Sequence, residues 1–406
     1  MESCYDVAVI GGGASGMAAA VSAAEYGKKT IVIEKNGLLG RKLGATGNGR
    51  CNLMNRTEPR YYGDSSFALQ ALQQCDISRQ EAFWHRYGLI IREESQGRVY
   101  PVTFQAASVV ETLKTALKMN RVDVALQLEA TDILPAETGY SIITSGGPLK
   151  AIRVILATGG AASPHLGGTD AGYRLAEKLG YCVIPACPSL CGLKTDQRSI
   201  SGLNGIRVRG KITVYKNKNE VHNETGEILF TDDGISGICV MQCARFVECC
   251  GADTAEINLI PEAFNEPGAL MKEIAFRRMR FAYESPELLF SGMVHRKMSY
   301  AVCKQAGIPL RGEKLQSLDQ ACVDNAVFHF QHYQLKIKGT KGMAAAQVTA
   351  GGVSCESFHP DTMESKIHPG LYATGELLNV YGDCGGFNLM FAFATGIIAG
   401  ENAAGI

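Results

Sequence analysis

The chain lacks an excess of either charge: forty lysines and arginines offset forty aspartates and glutamates in 406 residues. Nothing in that balance draws the protein as a whole to nucleic acid or to an anionic membrane, so a small-molecule partner is expected and a nucleic-acid partner is not. No apolar run approaches the ~20 residues of a membrane span. A strand pattern beginning at Tyr5 leaves no room for a basic-then-apolar leader, and a cytoplasmic location is the expectation. Histidine is sparse, and His85, His165, His295 and His359 have no second ligand three or four residues on, so no metal site is expected. The fourteen cysteines lack paired CxxC spacing. They read as reduced, small apolar residues rather than disulfides or zinc ligands, and Cys51 and Cys384, each standing alone, do not form the two-thiol segment of a disulfide oxidoreductase.

Glycine, by contrast, is abundant and clustered at the ends of apolar runs. In "YDVAVIGGGASGMAAAVSAAEYG" a β-forming run meets a glycine turn and an Ala-rich helical pattern, the strand–turn–helix opening of a dinucleotide site. Gly11 permits the tight turn, Gly13 lets a pyrophosphate approach the backbone, and Gly16 lets helix and strand pack closely, with Ser15 beside them. The next strand, "KTIVIEK", ends at Glu34, about 20 residues on, where a carboxylate accepts hydrogen bonds from adenosine ribose hydroxyls.

Strand-like and helical runs alternate over residues 1–190, which marks an α/β fold. From 191 to 260 short alternating runs with Asn and Gly turns, as in "GIRVRGKITVYKNKNEVHNETGEILF", predict a β-rich insertion. Residues 261–339 carry 3.6-residue patterns and predict a helical subdomain. Near 340 the texture of the first domain returns, ending in "GGFNLMFAFATGIIAGENAAG", so the dinucleotide domain is built from 1–190 and 340–406.

Three further glycine-rich stretches argue for a ligand longer than a nicotinamide alone. "KNGLLGRKLGATGNGRCNLMN" places Arg41 and Lys42 among glycines with Thr46, Asn48 and Asn52, a loop suited to a pyrophosphate and the edge of a flavin ring. "RVILATGG" ends a buried strand at Thr158, Gly159 and Gly160, where open α/β sheets hold ligands. In "VDVALQLEATDI", Ala130 suits a backbone contact to adenine, although a plain hairpin position reads nearly as well. In "LYATGELLNVYGDCGGFNLMFAFATG", Gly375 ends a strand, Glu376 suits a ribityl hydroxyl, and a helix opens near Gly385, Gly386 and Asn388 with unpaired amides forward. Such amides favour the reduced, electron-rich form of a flavin, and the cofactor read from both chain ends is FAD.

These residues resemble the BaiN/YhiN-like FAD-dependent oxidoreductases, also called aminoacetone-oxidase-type flavoproteins. The likeness runs nearly end to end, through "GGGASG", "GRKLGATGNGRCNLMN", "GRVYPVTFQAASVV", "GEILFTDDGISG", "AQVTAGGVSCESFHPDTMESKIHPGLYATGE" and "GDCGGFNLMFAFATG". The resemblance implies a two-part Rossmann-like FAD-binding domain with an inserted β-barrel and helical region. It also implies FAD contacts at Lys35 and Cys51 beside the residues named above. Asp232 and Ile238 stand where the family commonly has histidine and proline, and Asn379 and Met390 where it favours aspartate and glutamine. One branch of the family is similar to reductases of conjugated double bonds in 3-oxo bile acids. The expected activity is therefore reduction of an activated C=C bond in an apolar, steroid-like enone, with NADH or NADPH as a transient hydride donor. A small-amine oxidase and a flavin-binding redox or RNA-associated protein are the alternatives. Tyr381 is the candidate proton donor, with Asp383, Cys384, Tyr100 and Arg98 behind it. For each, a packed structural role reads at least as well.

Overall fold

A computed structural model describes residues 4–260, 264 and 266–406. Two compact units emerge: one runs to Cys187 and resumes over Gln347–Ile406, the other is Pro188–Ala346.

The first unit is the Rossmann-type α/β body. Strand β1 (Cys4–Ile10) pairs in parallel with β2 (Thr30–Glu34) and with the long β6 (Gly147–Leu156), and β2 pairs with β3 (Asp123–Leu126). The first half of β6 turns back antiparallel on β5 (Tyr140–Thr144), which pairs with β4 (Ala130–Pro135). The last residues of β6, Val154–Leu156, pair in parallel with β7 (Leu371–Ala373), so the C-terminal part of the chain joins the N-terminal sheet. "TIVIE" is buried along its whole length, as a parallel strand covered on both faces requires.

Helix α1 (Ala14–Glu25) is almost entirely small residues, and the C-terminal helix Phe387–Ala404 lies directly on it. A Cβ on Gly396 would sit 2.4 Å from the Ser15 carbonyl oxygen, and one on Gly400 2.3 Å from that of Ala19. Glycines one turn apart thus let the two backbones touch. The same helix packs Phe393 edge-on against Trp84, with ring centroids 4.7 Å apart. The helix therefore bridges the cofactor-type turn and the core beyond it.

The second unit is a closed six-stranded barrel, in the order Leu193–Thr195, Gly234–Ser236, Asn219–Thr231, Arg207–Lys216, Thr254–Asn258 and Tyr333–Thr340. It carries the helices Ile238–Cys250, Ala269–Arg280, Arg296–Gln305 and Gln320–Gln331. The Rossmann-type fold with an inserted barrel and helices is as expected, but two elements fall elsewhere. A 13-residue helix, Ile238–Cys250, lies within the stretch read as β-rich. Tyr333–Thr340, at the end of the stretch read as helical, closes the barrel. Its alternation in "YQLKIKGT" is a clean period of two, hidden by the helical pattern that runs straight into it. The expected boundary at Pro261 lies outside the described residues. Among the described residues no helix is long and apolar enough to cross a membrane.

Candidate functional site

The turn after β1 is built from three glycines with three different reasons. Gly11 has φ +111°, and a Cβ there would meet the Ala157 carbonyl oxygen at 2.3 Å, because the ends of β1 and β6 lie side by side. A Cβ on Gly16 would lie 1.9 Å from the Gly11 carbonyl oxygen. Gly13 is different: nothing stands within 4 Å of the position its Cβ would take. The first two glycines serve packing and the third opens onto free space. Helix α1 begins at this opening with no side-chain cap and no acid in its own first turn, so its first amides are left to face the opening.

Glu34, at the end of β2, is buried and fixed by three donors. Its Oε2 accepts from the Gly12 amide at 2.7 Å, and its Oε1 accepts from the Asn36 amide at 2.7 Å and the Asn36 Nδ2 at 2.6 Å. A carboxylate has about four lone-pair sites, so this arrangement orients the group and still leaves one site for a ribose hydroxyl. Asn36 also accepts from Arg41 Nη1 at 2.9 Å, and Arg41 Nη2 donates to the His165 carbonyl at 3.0 Å. Arg41 is thereby committed beside Glu34. The chain leaving β3 passes the same place, with the Leu128 amide donating to the Glu34 carbonyl at 3.0 Å, and Ala130 is buried two residues later. Lys35 lies between Glu34 and Asn36 and is half-buried.

The segment expected to be a loop is a short helix from Arg41 that breaks at Thr46, after which Gly47 and Asn48 both take left-handed backbone. Thr46 Oγ1 donates to the Leu43 carbonyl at 2.7 Å. Cys51 is fully buried, and burial pushes its thiol up to about 12, only partly opposed by a hydrogen bond with Thr46. It is a neutral packing group and no nucleophile. Lys42 Nζ pairs with Glu376 at 2.7 Å, and Glu376 Oε1 also accepts from the Thr349 amide at 2.8 Å. The two residues expected to contact separate parts of a ligand are thus brought together as one ion pair.

At the other chain end, Gly375 donates its amide to Thr395 Oγ1 at 3.0 Å, and a Cβ on it would lie 2.7 Å from Ser15 Oγ. Ser15 is therefore wedged between Gly375 and the C-terminal helix, which ties the two ends of the chain together. Gly386 precedes that helix, again with no side-chain cap and no acid in the first turn. Its Cβ would meet the Met54 carbonyl oxygen at 2.4 Å and Asn52 Oδ1 at 2.8 Å. The Asn388 side chain has local partners: its Oδ1 accepts from the Gly382 amide at 2.8 Å and its Nδ2 donates to the Gly382 carbonyl at 3.0 Å. The side chain pins the turn before the helix.

Two atoms of this region are buried with no hydrogen-bond partner, Asn52 Oδ1 and Thr158 Oγ1. Unsatisfied buried polar atoms cost about 1–3 kcal/mol each, a cost that a ligand donor beside them would remove. Beside Thr158, nothing lies within 4 Å of a Cβ on Gly159. Open glycines, two uncapped helix starts and unpartnered acceptors together fit a long, anionic dinucleotide such as FAD. Asn55 and Thr349 were missed in the sequence. Asn55 is buried, donates Nδ2 to the Gly385 carbonyl at 2.8 Å and accepts from Thr57, and Thr349 Oγ1 accepts from the Ala162 amide at 2.9 Å. Asn55 stood in the quoted "RCNLMN" run, whereas Thr349 had no local signal.

Tyr381 lies on a two-stranded ribbon, Tyr61–Gly63 with Val380–Gly382, where it pairs with Tyr62. The two rings stack with centroids 5.9 Å apart and planes at 25°. The neighbouring Tyr61 hydroxyl donates to the Phe387 carbonyl at 2.7 Å. All fourteen cysteines are free thiols.

A family model described as the HI0933-like protein Rossmann domain matches residues 5–402. The chain belongs to the HI0933-like Rossmann family. Among its HI0933-like relatives, the 3-dehydro-bile acid delta(4,6)-reductase of Clostridium scindens is 34% identical over 98% of both chains. The ribosomal RNA dihydrouridine synthase of Escherichia coli is 26% identical over 96% of both. In fold, the chain is similar to the 3-ketosteroid-delta4-(5alpha)-dehydrogenase of Rhodococcus jostii, with a TM-score of 0.50 and 16% identity over 100% of this chain and 98% of that one. As an HI0933-like protein of the BaiN/YhiN type, it is an FAD-dependent oxidoreductase.

Proposed function

We propose that this enzyme reduces a C=C bond conjugated to a carbonyl in an apolar enone of steroid or bile-acid type, with NADH or NADPH as electron donor. The 34% identity along nearly all of both chains with a bile-acid reductase carries the reading. Bound FAD supplies the two-electron chemistry, in which a hydride reaches the carbon β to the carbonyl.

In this reading, the chain's own residues hold and polarise. Glu34 and its three donors fix the adenosine ribose, and the free space at Gly13 with the start of α1 receives the pyrophosphate. Lys35, Arg41, Lys42, Thr46, Asn48, Cys51, Ala130, Gly375 and Glu376 frame the same path. Asn52 Oδ1 and Thr158 Oγ1, buried without partners, accept hydrogen bonds from the ligand. The uncapped amides at the start of the C-terminal helix stabilise negative charge on the ring system. Tyr381, held by its stack on Tyr62, donates the proton to the carbon α to the carbonyl.

The dihydrouridine synthase relatives favour one second reading. Uracil is itself a C=C conjugated to a carbonyl, so the same chemistry on ribosomal RNA is the alternative substrate. Anaerobic stopped-flow reduction by NADH and by NADPH, followed by mixing with 4-en-3-one steroids or unmodified ribosomal RNA, separates the readings. Rapid bleaching by a nicotinamide and reoxidation by the enone are expected. Reoxidation by the RNA alone would give the second reading, and a flavin that neither nicotinamide bleaches would remove both.

A further inference from the structure

Arg50 follows the segment Arg41–Gly49 and stands directly before Cys51 and Asn52, beside the cofactor path. Its guanidinium lies over two rings at once, 5.0 Å from the centroid of Tyr100 and 4.5 Å from that of Phe104. The two rings are themselves 5.7 Å apart and inclined at 46°. Phe104 takes its place with left-handed backbone, φ +52°, which a bulky side chain rarely adopts. Ring faces hold a guanidinium through its plane and leave its N–H edge for a further partner. Among the described residues no carboxylate meets that edge. Beside it there is room, since nothing lies within 4 Å of a Cβ on Gly49.

A second cation shares the sheet that carries this platform. Strand Arg98–Pro101 buries Val99 and Pro101 and turns Arg98 and Tyr100 to its other face. Arg98 is paired across the ladder with Asn55, which donates to the Gly385 carbonyl at 2.8 Å. Burial pushes the thiol of Cys384 up, and the charge of Arg98 opposes that rise. On the other side of Gly385, a Cβ on Gly386 would meet Asn52 Oδ1 at 2.8 Å. Arg98, through Asn55, and Arg50, through Asn52, are thus tied to one turn, residues 384–386. Arg92, opposite Tyr100 in the ladder and 5.2 Å from the Phe104 centroid, is balanced by Glu94 at 2.9 Å. Arg98, like Arg50, has no carboxylate partner among the described residues. Two cations without counter-ions, beside an aromatic platform and open space, suit a carboxylate carried on an apolar body.

We propose that Arg50 and Arg98 form a subsite for a carboxylate on the substrate, with Tyr100 and Phe104 as the apolar platform beside it. The subsite narrows the enone of the proposed reaction from steroids in general to those that carry an acid, and in that respect it rests on that reading. A guanidinium matches a carboxylate with two parallel N–H···O bonds, and a neutral ester in its place forfeits the charge assistance.

Calorimetric titration of the oxidised, FAD-loaded full chain with a 3-oxo-4-ene bile acid and with its methyl ester tests the subsite without requiring turnover. Wild type is expected to bind the acid about tenfold or more tightly than the ester, the difference that a charge-assisted hydrogen bond makes. Arg50→Gln and Arg98→Gln are each expected to bring that ratio towards one, and Arg50→Lys to restore part of it. Retained flavin absorbance reports that each variant is folded and loaded. Failure of the acid to bind wild type, an acid bound no better than its ester, or a ratio that both glutamine variants keep overturns the subsite. So does an equal loss for acid and ester, which would place the arginines against a part that both compounds share. Weaker NADPH binding with an unchanged acid-to-ester ratio assigns the cations to the donor's phosphates and overturns it too. Reoxidation of the reduced flavin by the same acid is read separately in stopped flow. An acid that binds with the expected ratio but never reoxidises the flavin removes the reductase reading and leaves the subsite standing.

Discussion

Replacing Glu34 by glutamine changes one atom and upsets a junction of three donors. The carboxylate accepts from Gly12 on one oxygen and from Asn36, twice, on the other. A glutamine can keep its carbonyl toward Asn36, but its NH₂ then faces the Gly12 N–H, donor against donor. The opposite rotamer strands two donors instead of one. With the group buried, one unsatisfied donor costs about 1–3 kcal/mol, and the bonds that survive lose their charge assistance. A loss of about 2–3 kcal/mol in the stability of the apoprotein is expected. Holding FAD suffers as well, because a ribose hydroxyl that met a carboxylate meets a neutral amide. At 1.4 kcal/mol per factor of ten, the FAD dissociation constant should rise about 10- to 100-fold. Titration of apoprotein with FAD, followed by flavin fluorescence, reads the affinity, and a urea melt of the apoprotein reads the stability. A dissociation constant within twofold of wild type, with an unchanged melt, would refute the assignment of Glu34 to both roles.

Gly396→Val should destabilise the first unit by about 1–3 kcal/mol or more and release FAD, since the new Cβ would lie 2.4 Å from the Ser15 carbonyl oxygen; a thermal melt and flavin release on gel filtration check it. Phe393→Ala should cost about 3–5 kcal/mol and shift the emission of Trp84, the single tryptophan, to longer wavelength, which a fluorescence spectrum shows. Burial pushes the thiols of Cys51 and Cys75 up to about 12 from an ordinary 9.0. The folded state thus favours the protonated thiols. Their contribution is fully present below pH 9 and lost as pH rises from 9 towards 12. At pH 10 the two together should cost about 3 kcal/mol, at about 1.4 kcal/mol for each thiol and pH unit, read by urea melts at pH 8 and 10.

Much of the cofactor-type domain was legible because its signals are local. A glycine without room for a side chain, a small-residue helix and an acid at a strand end each announce themselves within a few residues: Gly11 and Gly16 make the tight turn and the close packing that their spacing suggested, and Glu34 ends its strand. Ser15 was read as a cofactor contact from its place beside the glycines, but its packing against Gly375 and Gly396, more than 350 residues on, is a proximity that no local pattern encodes. The pairing of Lys42 with Glu376 and the use of Asn388 to pin its own turn were hidden for the same reason: residue type gave the chemistry but not the partner. Tyr333–Thr340 was obscured differently, because a helix runs without a break into the strand that closes the barrel.

The central claim is that one FAD is gripped by both ends of the chain, and hydrogen–deuterium exchange with and without FAD tests it most directly. The account predicts that FAD slows exchange in two segments together, the amides of residues 12–17 and those of residues 386–390, with both protections complete at one FAD per chain. Protection of the first segment alone, with the start of the C-terminal helix exchanging as before, would contradict it.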